Sequence, residues 1–527
     1  MSNGLPDNWT SGTLGDAVEI VRGISFPSGD KKFEPEDGLI ACLRTTNVQR
    51  DVEWANLWYV PERHMRRREQ EVRVGDILIS TANSLELVGK VAPVRHVPHR
   101  ATLGAFISLL RPSGLLSPEF VYYQIAAAEY QTAIRSTAST TTNISNVSTE
   151  KLRFLPFRLA PIGEQDRIVA EIEKQFTRLD AAVAALRRVQ ANLKRYRAAV
   201  LKAACEGRIV LTEAELASKE SRSYETGEQL LGRILKERRT KWEADQLARL
   251  HSSGKPPQND EWRKSYREPK PQAMDNKPKL PEGWAWASVD QLSWYVRNGI
   301  STKPDDSAGL AILRISAVKP MKVDLQDVRF LKDKPEYHEY ELDSGDLLFT
   351  RYNGTREFVG VCGLVPTGIG VLVHPDKLIR VRPVLNHALG AYIAIAANTG
   401  HSRAFVERKI RTTAGQSGVS GEDVRGIPIP LCPLSEQARI VAEVDARLSS
   451  VDAAQLATES DMARADRLRQ SILKRAFEGK LVPQDPDDEP ASMLLERIRA
   501  EHENRRDPLP HRRSRGVAQR TVPVEVE

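Results

Sequence analysis

Cysteine is scarce: the 527 residues hold four, Cys42, Cys205, Cys362 and Cys432, and no two of them form a CxxC pair. A structural zinc site needs clustered ligands and a disulfide framework needs a dense set, so neither organises this chain, and isolated buried thiols are expected. No apolar run approaches the ~18 residues of a membrane span. Residues Met1–Thr10 lack the basic-then-apolar pattern of a secretory signal, so a cytoplasmic protein with no membrane partner is the expectation. Neither sign of charge dominates: 77 basic and 70 acidic residues leave a net +7, a mild attraction for an anionic partner. Arg63, Arg66, Arg67, Arg68 and Arg73 crowd one stretch, and Arg187, Arg188, Lys194, Arg195, Arg197 and Lys202 another, but such runs are ordinarily solvated faces. Catalytic signatures are missing as well. There is no GxxxxGK[ST] phosphate loop, no HExxH, no GxSxG, no glycine-rich S-adenosylmethionine motif and no NPPY-like pocket. No catalytic residue and no metal ligand is therefore assigned.

What is present is a repeat with a period of about half the chain. Leu5-Pro6-Asp7-Asn8-Trp9 matches Leu280-Pro281-Glu282-Gly283-Trp284, and Val74 to Ile79 (VGDILI) resembles Ser344 to Phe349 (SGDLLF). Pro161-Ile162-Gly163-Glu164-Gln165 matches Pro433-Leu434-Ser435-Glu436-Gln437, and RIVAE at Arg167 recurs at Arg439. LKAACEGRIV from Leu201 recurs as LKRAFEGKLV from Leu473, and Leu230, Leu231 and Ile234 correspond to Leu494, Leu495 and Ile498. Similarity is strong in the helical parts and weak in the globular parts. One scaffold has been kept twice while its two heads diverged, as suits a device that reads two different things through one frame.

The helical parts carry stripes at spacings of three and four. The first runs through Ile168, Ile172, Phe176, Leu179, Val183, Leu186, Leu193, Tyr196 and Val200; the second through Ile440, Val444, Leu448, Val451, Met462, Ala465, Leu468 and Ile472. Pro161 and Pro433 stand where proline can open a helix, and Gly207 and Gly479 where glycine ends one. Strands are expected at Val72–Ser80, Leu310–Val318, Asp346–Thr350 and Leu378–Val384, and helices at Pro118–Ile134 and His387–Val406. The expected fold is therefore α/β heads alternating with long coiled-coil helices in a tandem pseudo-two-fold repeat. The segments are a first head at 1–160, a helical spacer region with a following helix at 161–254, a proline-rich linker at 255–279, a second head at 280–432, a second spacer at 433–504 and a disordered basic tail at 505–527.

PIGEQDRIVAEIE at Pro161, PLSEQARIVAEVD at Pro433 and LKRAFEGKLVPQDPDDEPASMLLERIRAE from Leu473 to Glu501 resemble the specificity subunits of Type I restriction–modification systems. The Gly-Asp-strand pairs and RYNGT at Arg351–Thr355 add to the resemblance, which covers about residues 5 to 505. The first copy departs at Cys205, where the second has Phe477, and has LTEAELASKE where the second has the PQDPDDEP tail. The resemblance implies that each head is a target-recognition domain reading one half of a bipartite double-stranded DNA target. It implies helices that set the gap and dock two methyltransferase subunits, which would bind S-adenosylmethionine, and restriction subunits as further partners. This chain would then be a non-catalytic subunit with no cofactor of its own. A coiled-coil scaffold that reads no DNA, and a self-contained DNA-modifying enzyme, stand as the alternatives. The scaffold explains the helices but not the divergent heads.

Three polar clusters recur in both heads and supply side chains suited to base edges and phosphates. Arg44, Thr45 and Asn47 align with Arg314 and Ser316. Thr81, Asn83 and Ser84 align with Arg351 and Asn353, followed by Thr355 and Arg356. The loop with Thr140, Thr141, Asn143 and Ser145 aligns with the loop with Gln416 and Ser417. These are the candidate DNA-binding residues. Glu164, Gln165 and Arg167, with their copies Glu436, Gln437 and Arg439, lie at helix starts, where they would brace head to coil or dock a partner.

Overall fold

The computed structural model describes residues 5–141, 144–254, 257–271, 278–304, 308–385, 387–413 and 415–506. Two helices of 44 residues, Ile162–Cys205 and Leu434–Phe477, carry the repeat. Contacts divide the chain into two units that cut across its linear order: residues up to Leu186 together with those from Ser460 on, and Arg187–Glu459. Each unit thus owns one head, the start of one long helix and the end of the other. In the first, Ile168 and Ile172 share a core with Trp9, Phe120, Phe157, Leu473, Ala476 and Phe477. In the second, Ile440, Val444 and Leu448 share one with Trp284, Tyr392, Val200, Leu201 and Ala204. Within each unit the helix segments run antiparallel, since Arg167 pairs with Asp488 and Asp180 with Arg469, while Arg197 pairs with Asp452 and Arg439 with Glu213.

Each head is built on a four-stranded antiparallel sheet, Val18–Arg22, Ile107–Pro112, Ile77–Ser80, Val91–Pro93 in the first and Ser293–Asn298, Leu378–Pro383, Leu347–Thr350, Cys362–Leu364 in the second. The repeated Gly-Asp pair has a clear role there. Gly75 and Gly345 take φ of +88° and +90°, which glycine accepts without strain. The following Asp76 and Asp346 are 2% and 1% exposed, and each receives an arginine from the adjacent strand, Arg111 and Arg382, both at 2.7 Å. A buried carboxylate held by a guanidinium fork is expensive to break, so the pair fixes how the turn meets the sheet.

Several expectations need correction. Val72–Asp76 is not strand, because the Gly-Asp turn occupies it. Leu310–Leu313 gives way to a 3-10 turn at Ile315–Ala317. Each expected head helix is two, Pro118–Ala126 with Ala128–Ser136 and His387–Ala397 with Gly400–Lys409. The long helices also differ from their expected stripes at one matching place. Tyr196 and Leu468 are 46% and 44% exposed, and the next residue of each helix, Arg197 and Arg469, turns inward to an aspartate of the other helix. In the linker, residues 257–271 include a 3-10 turn, Asp260–Ser265, whose Trp262 stacks on Trp242 with ring centres 6.0 Å apart; 255, 256 and 272–277 lie outside the described residues. The helix Ala491–Arg506 runs into the expected tail, and residues 507–527 also lie outside the description. Among the described residues, no helix is long and apolar enough to cross a membrane.

Gly207 and Gly479 end the long helices at φ +66° and +69°, and a β-carbon there would stand 2.7 Å from Pro281 Cγ and 2.2 Å from Pro6 Cγ. Gly479→Ala is expected to lose at least about 1–2 kcal/mol in chemical denaturation, the cost of left-handed backbone before the clash is added. Gly29→Ala, where a β-carbon meets nothing within 4 Å, serves as the neutral control. Equal stability of the two variants would contradict the packing described.

Candidate nucleic-acid interface

The second and third polar clusters of each head meet in one small sheet. In the first head, strand Ile144–Asn146 lies between Ser139–Thr141 and Ala82–Asn83, pairing Ser145 with both Thr140 and Asn83. In the second, Gln416–Gly418 lies between Arg411–Thr413 and Tyr352–Asn353, pairing Ser417 with both Thr412 and Asn353. The Thr140–Ser145 and Thr412–Ser417 hydroxyls are each 2.9 Å apart. Two stretches more than fifty residues apart in sequence thus converge twice on the same three-stranded polar surface.

The candidate residues divide by position. Thr140, Thr141, Ser84, Thr355, Arg356, Gln416, Arg314 and Ser316 are exposed, and Arg44, Thr45, Asn83, Arg351 and Asn353 are half-buried. Asn83 and Asn353 shape their loops through backbone amides, Ser84 N donating to the first at 2.9 Å and Thr355 N to the second at 2.9 Å. Arg351 stacks over Tyr352 at 4.8 Å, and Arg314 pairs with Asp327, which also takes the Ser316 hydroxyl. Arg356 donates to Glu407 O at 3.1 Å. Four candidates do not reach the surface. Thr81, Ser145 and Ser417 are 8%, 1% and 7% exposed, and the two serines hold the outer threonines rather than face solvent. Asn47 is 2% exposed, and its amide is used up on Glu53 O, Ala55 O and Arg44 N. Asn143 lies outside the described residues.

The helix-start residues brace. Glu164 and Glu436 are 1% and 0% exposed. Trp9 Nε1 donates to Glu164 at 2.9 Å and Gln484 Nε2 at 2.7 Å; Trp284 Nε1 donates to Glu436 at 3.1 Å and Glu213 N at 2.9 Å. Burial pushes both carboxyls above the usual range, and these donors pull them partly back. Gln165 and Gln437 donate to Ala160 O and Cys432 O, closing the first turn. Arg167 holds Asp488 at 2.6 Å and Arg439 holds Glu213 at 2.7 Å.

A further tie lies beyond the sequence reading. Asp180, on the first long helix, receives Arg50 of its head at 2.6 Å and Arg469 of the other helix. Asp452, in the matching place, receives Lys322 of its head at 3.2 Å and Arg197. Arg50 above all holds Asp180 below the usual carboxylate range. For Asp452 burial opposes ionisation, and Arg197 with Lys322 outweighs it. The signal in the sequence is an aspartate and an arginine, Asp180 with Arg197 and Asp452 with Arg469, at the same distances from each helix start.

Trp9→Phe removes a donor from a buried carboxylate and is expected to cost about 1–3 kcal/mol at neutral pH. Because the folded pKa of Glu164 is raised, the folded state binds its proton more tightly, and that contribution falls as pH rises through the raised value. The penalty of Trp9→Phe should therefore shrink as pH falls toward the ordinary glutamate value of about 4.3. A pH-independent penalty in denaturation curves would refute the ionised-carboxylate account.

No family model matches the chain. It is similar to the Type I restriction enzyme EcoKI specificity subunit of Escherichia coli strain K12, with 30% identity over 510 residues, covering 94% of this chain and 96% of that protein. It is also similar to the Type I restriction enzyme StySPI specificity subunit of Salmonella potsdam, 25% identical over 509 residues, again 94% of this chain and 96% of that protein. Among solved structures, a chain from work on complex assembly and conformational transition of the type I R-M system matches with a TM-score of 0.56 at 17% identity, covering 90% of this chain and 99% of that one, which shows the shared fold. Given the first of these similarities and its extent, the chain belongs to the family of Type I restriction enzyme specificity subunits.

Proposed function

We propose that this protein is the DNA-reading subunit of a Type I restriction–modification complex, each head reading one half of an asymmetric, two-part duplex target. The observation that carries the reading is the polar three-stranded sheet built twice on one frame, with the same Thr–Ser hydroxyl pair and different side chains around it. Identical framing with divergent contacts suits two unlike half-sites. Exposed threonines and loop amides suit phosphates, and Arg314, Arg351, Arg356 and Gln416 suit base edges.

The chain contributes no catalytic centre in this reading. Methyl transfer and restriction belong to partner subunits, two of which are methyltransferases that bind S-adenosylmethionine, and the complex works in the cytoplasm. The long helices set the gap between half-sites and dock the methyltransferases; outward apolar side chains such as Tyr196, Leu456 and Leu468, the second 68% exposed, suit such docking.

Selection of bound sequences from random DNA by the complex reconstituted with its methyltransferase subunits tests this reading. One two-part motif is expected, with affinity falling steeply as salt rises; binding with neither preference nor salt dependence would favour a plain scaffold. Exchanging residues 5–155 for the head of a relative should alter one half-site alone, and a change in both would refute independent reading. Inserting one helical turn near Val189, with a matching insertion in the second long helix, should lengthen the gap by about two base pairs, since ~5.4 Å of helix compares with ~3.4 Å of DNA rise. An active complex with an unchanged gap would refute the ruler.

A further inference from the structure

The first head contains an aromatic cavity of about 440 Å³. Phe26, Trp58 and Phe106 line it, with Lys31, Arg44 and Thr45 at its rim. Phe106 is 64% exposed, so its ring is open to a ligand. The ring stands at the edge of the candidate interface, because Phe106 O accepts the amides of Thr81 at 2.9 Å and Ala82 at 3.2 Å, the residues that enter the polar sheet. Both rim cations sit over the Trp58 ring, Lys31 at 4.6 Å and Arg44 at 4.9 Å, and among the described residues neither forms an ion pair. A cavity with apolar walls and a cationic rim is complementary to a base flanked by phosphate.

The strand registers identify the matching positions in the second head. Cys42 pairs with Trp58 and Thr102 as Ile312 pairs with Arg329 and Val373, so Arg329 stands where the first head has Trp58. Arg351 N donates to Lys377 O at 2.8 Å as Thr81 N does to Phe106 O, so Lys377 replaces Phe106. Ile24 bridges Gly104 as Ile300 bridges Pro375, so Thr302 replaces Phe26. Three aromatic rings in one head become two exposed cations and a threonine in the other, on an otherwise shared backbone.

We propose that these positions discriminate bases, and that the cavity under Phe106 takes the 5-methyl edge of a thymine in the half-site of the first head. The 5-methyl group is the one apolar feature of the major-groove edge, and it distinguishes A·T pairs by contact with apolar side chains. In the second head, Arg329 and Lys377 instead suit the O6 and N7 acceptors of guanine. This inference rests on the DNA-reading function proposed above.

The test measures binding of the reconstituted complex to its target with single thymines replaced by deoxyuridine, which deletes only the methyl group. One replacement in the first head's half-site should weaken binding about fourfold, the worth of one buried methyl group. The same replacement should have no effect on the Phe106→Ala complex, while replacements in the other half-site should be silent in both. A wild-type complex that selects a two-part target but is indifferent to every deoxyuridine, or whose sensitivity survives Phe106→Ala, overturns this proposal alone. A complex with no sequence preference overturns the DNA-reading function itself.

Discussion

A buried glutamate at the start of each long helix ties the structure together. Glu164 and Glu436 each take the indole N–H of the tryptophan that opens their own head and a second donor from the segment following the end of the other long helix. Taking a carboxyl group out of water is costly unless such donors are held to it, so each glutamate couples its head, one helix start and the other helix end. Asp180 and Asp452 add a second tie further along each helix, by way of Arg50 and Lys322. These two attachment points lie at different places along the helix, so together they orient the head on it.

That constraint explains where the two halves of the chain agree and where they differ. The Gly-Asp turn, its arginine partner, the helix-start Glu-Gln and the closing glycine occur twice because each fixes backbone that the frame requires. Phe26, Trp58 and Phe106 against Thr302, Arg329 and Lys377 stand at matching backbone positions and differ between the heads. The division of labour seen in the sequence, with similar helical parts and dissimilar heads, continues inside the heads at the level of single residues.

Much of this was legible from the repeat alone. LPDNW and LPEGW, the Gly-Asp pairs and the PIGEQ and PLSEQ helix starts mark the joints at the helix starts and the sheet turns, and the spacing of three and four marks both long helices. The polar clusters were found as separate stretches, but their convergence was not visible, because pairing of Ser145 with Asn83 depends on how the head folds between them. Asn47 illustrates a second limit: an asparagine that closes a 3-10 turn is used by its own backbone as readily as by a ligand. The stripes went astray at Tyr196 and Leu468 because apolar periodicity gives no weight to an arginine, although Arg197 and Arg469 bury their stems and find an aspartate. The aromatic cavity is not legible in the sequence because its three rings are scattered over eighty residues and only the fold assembles them.

The central claim, one frame presenting two different DNA-reading faces, is tested most directly by mapping DNA methylation across host DNA with and without this gene. The account predicts loss of methylation at a single motif made of two unlike half-sites separated by a fixed gap. Loss at a symmetric or undivided motif would contradict it, as would an unchanged map from a strain in which the complex is expressed and assembled.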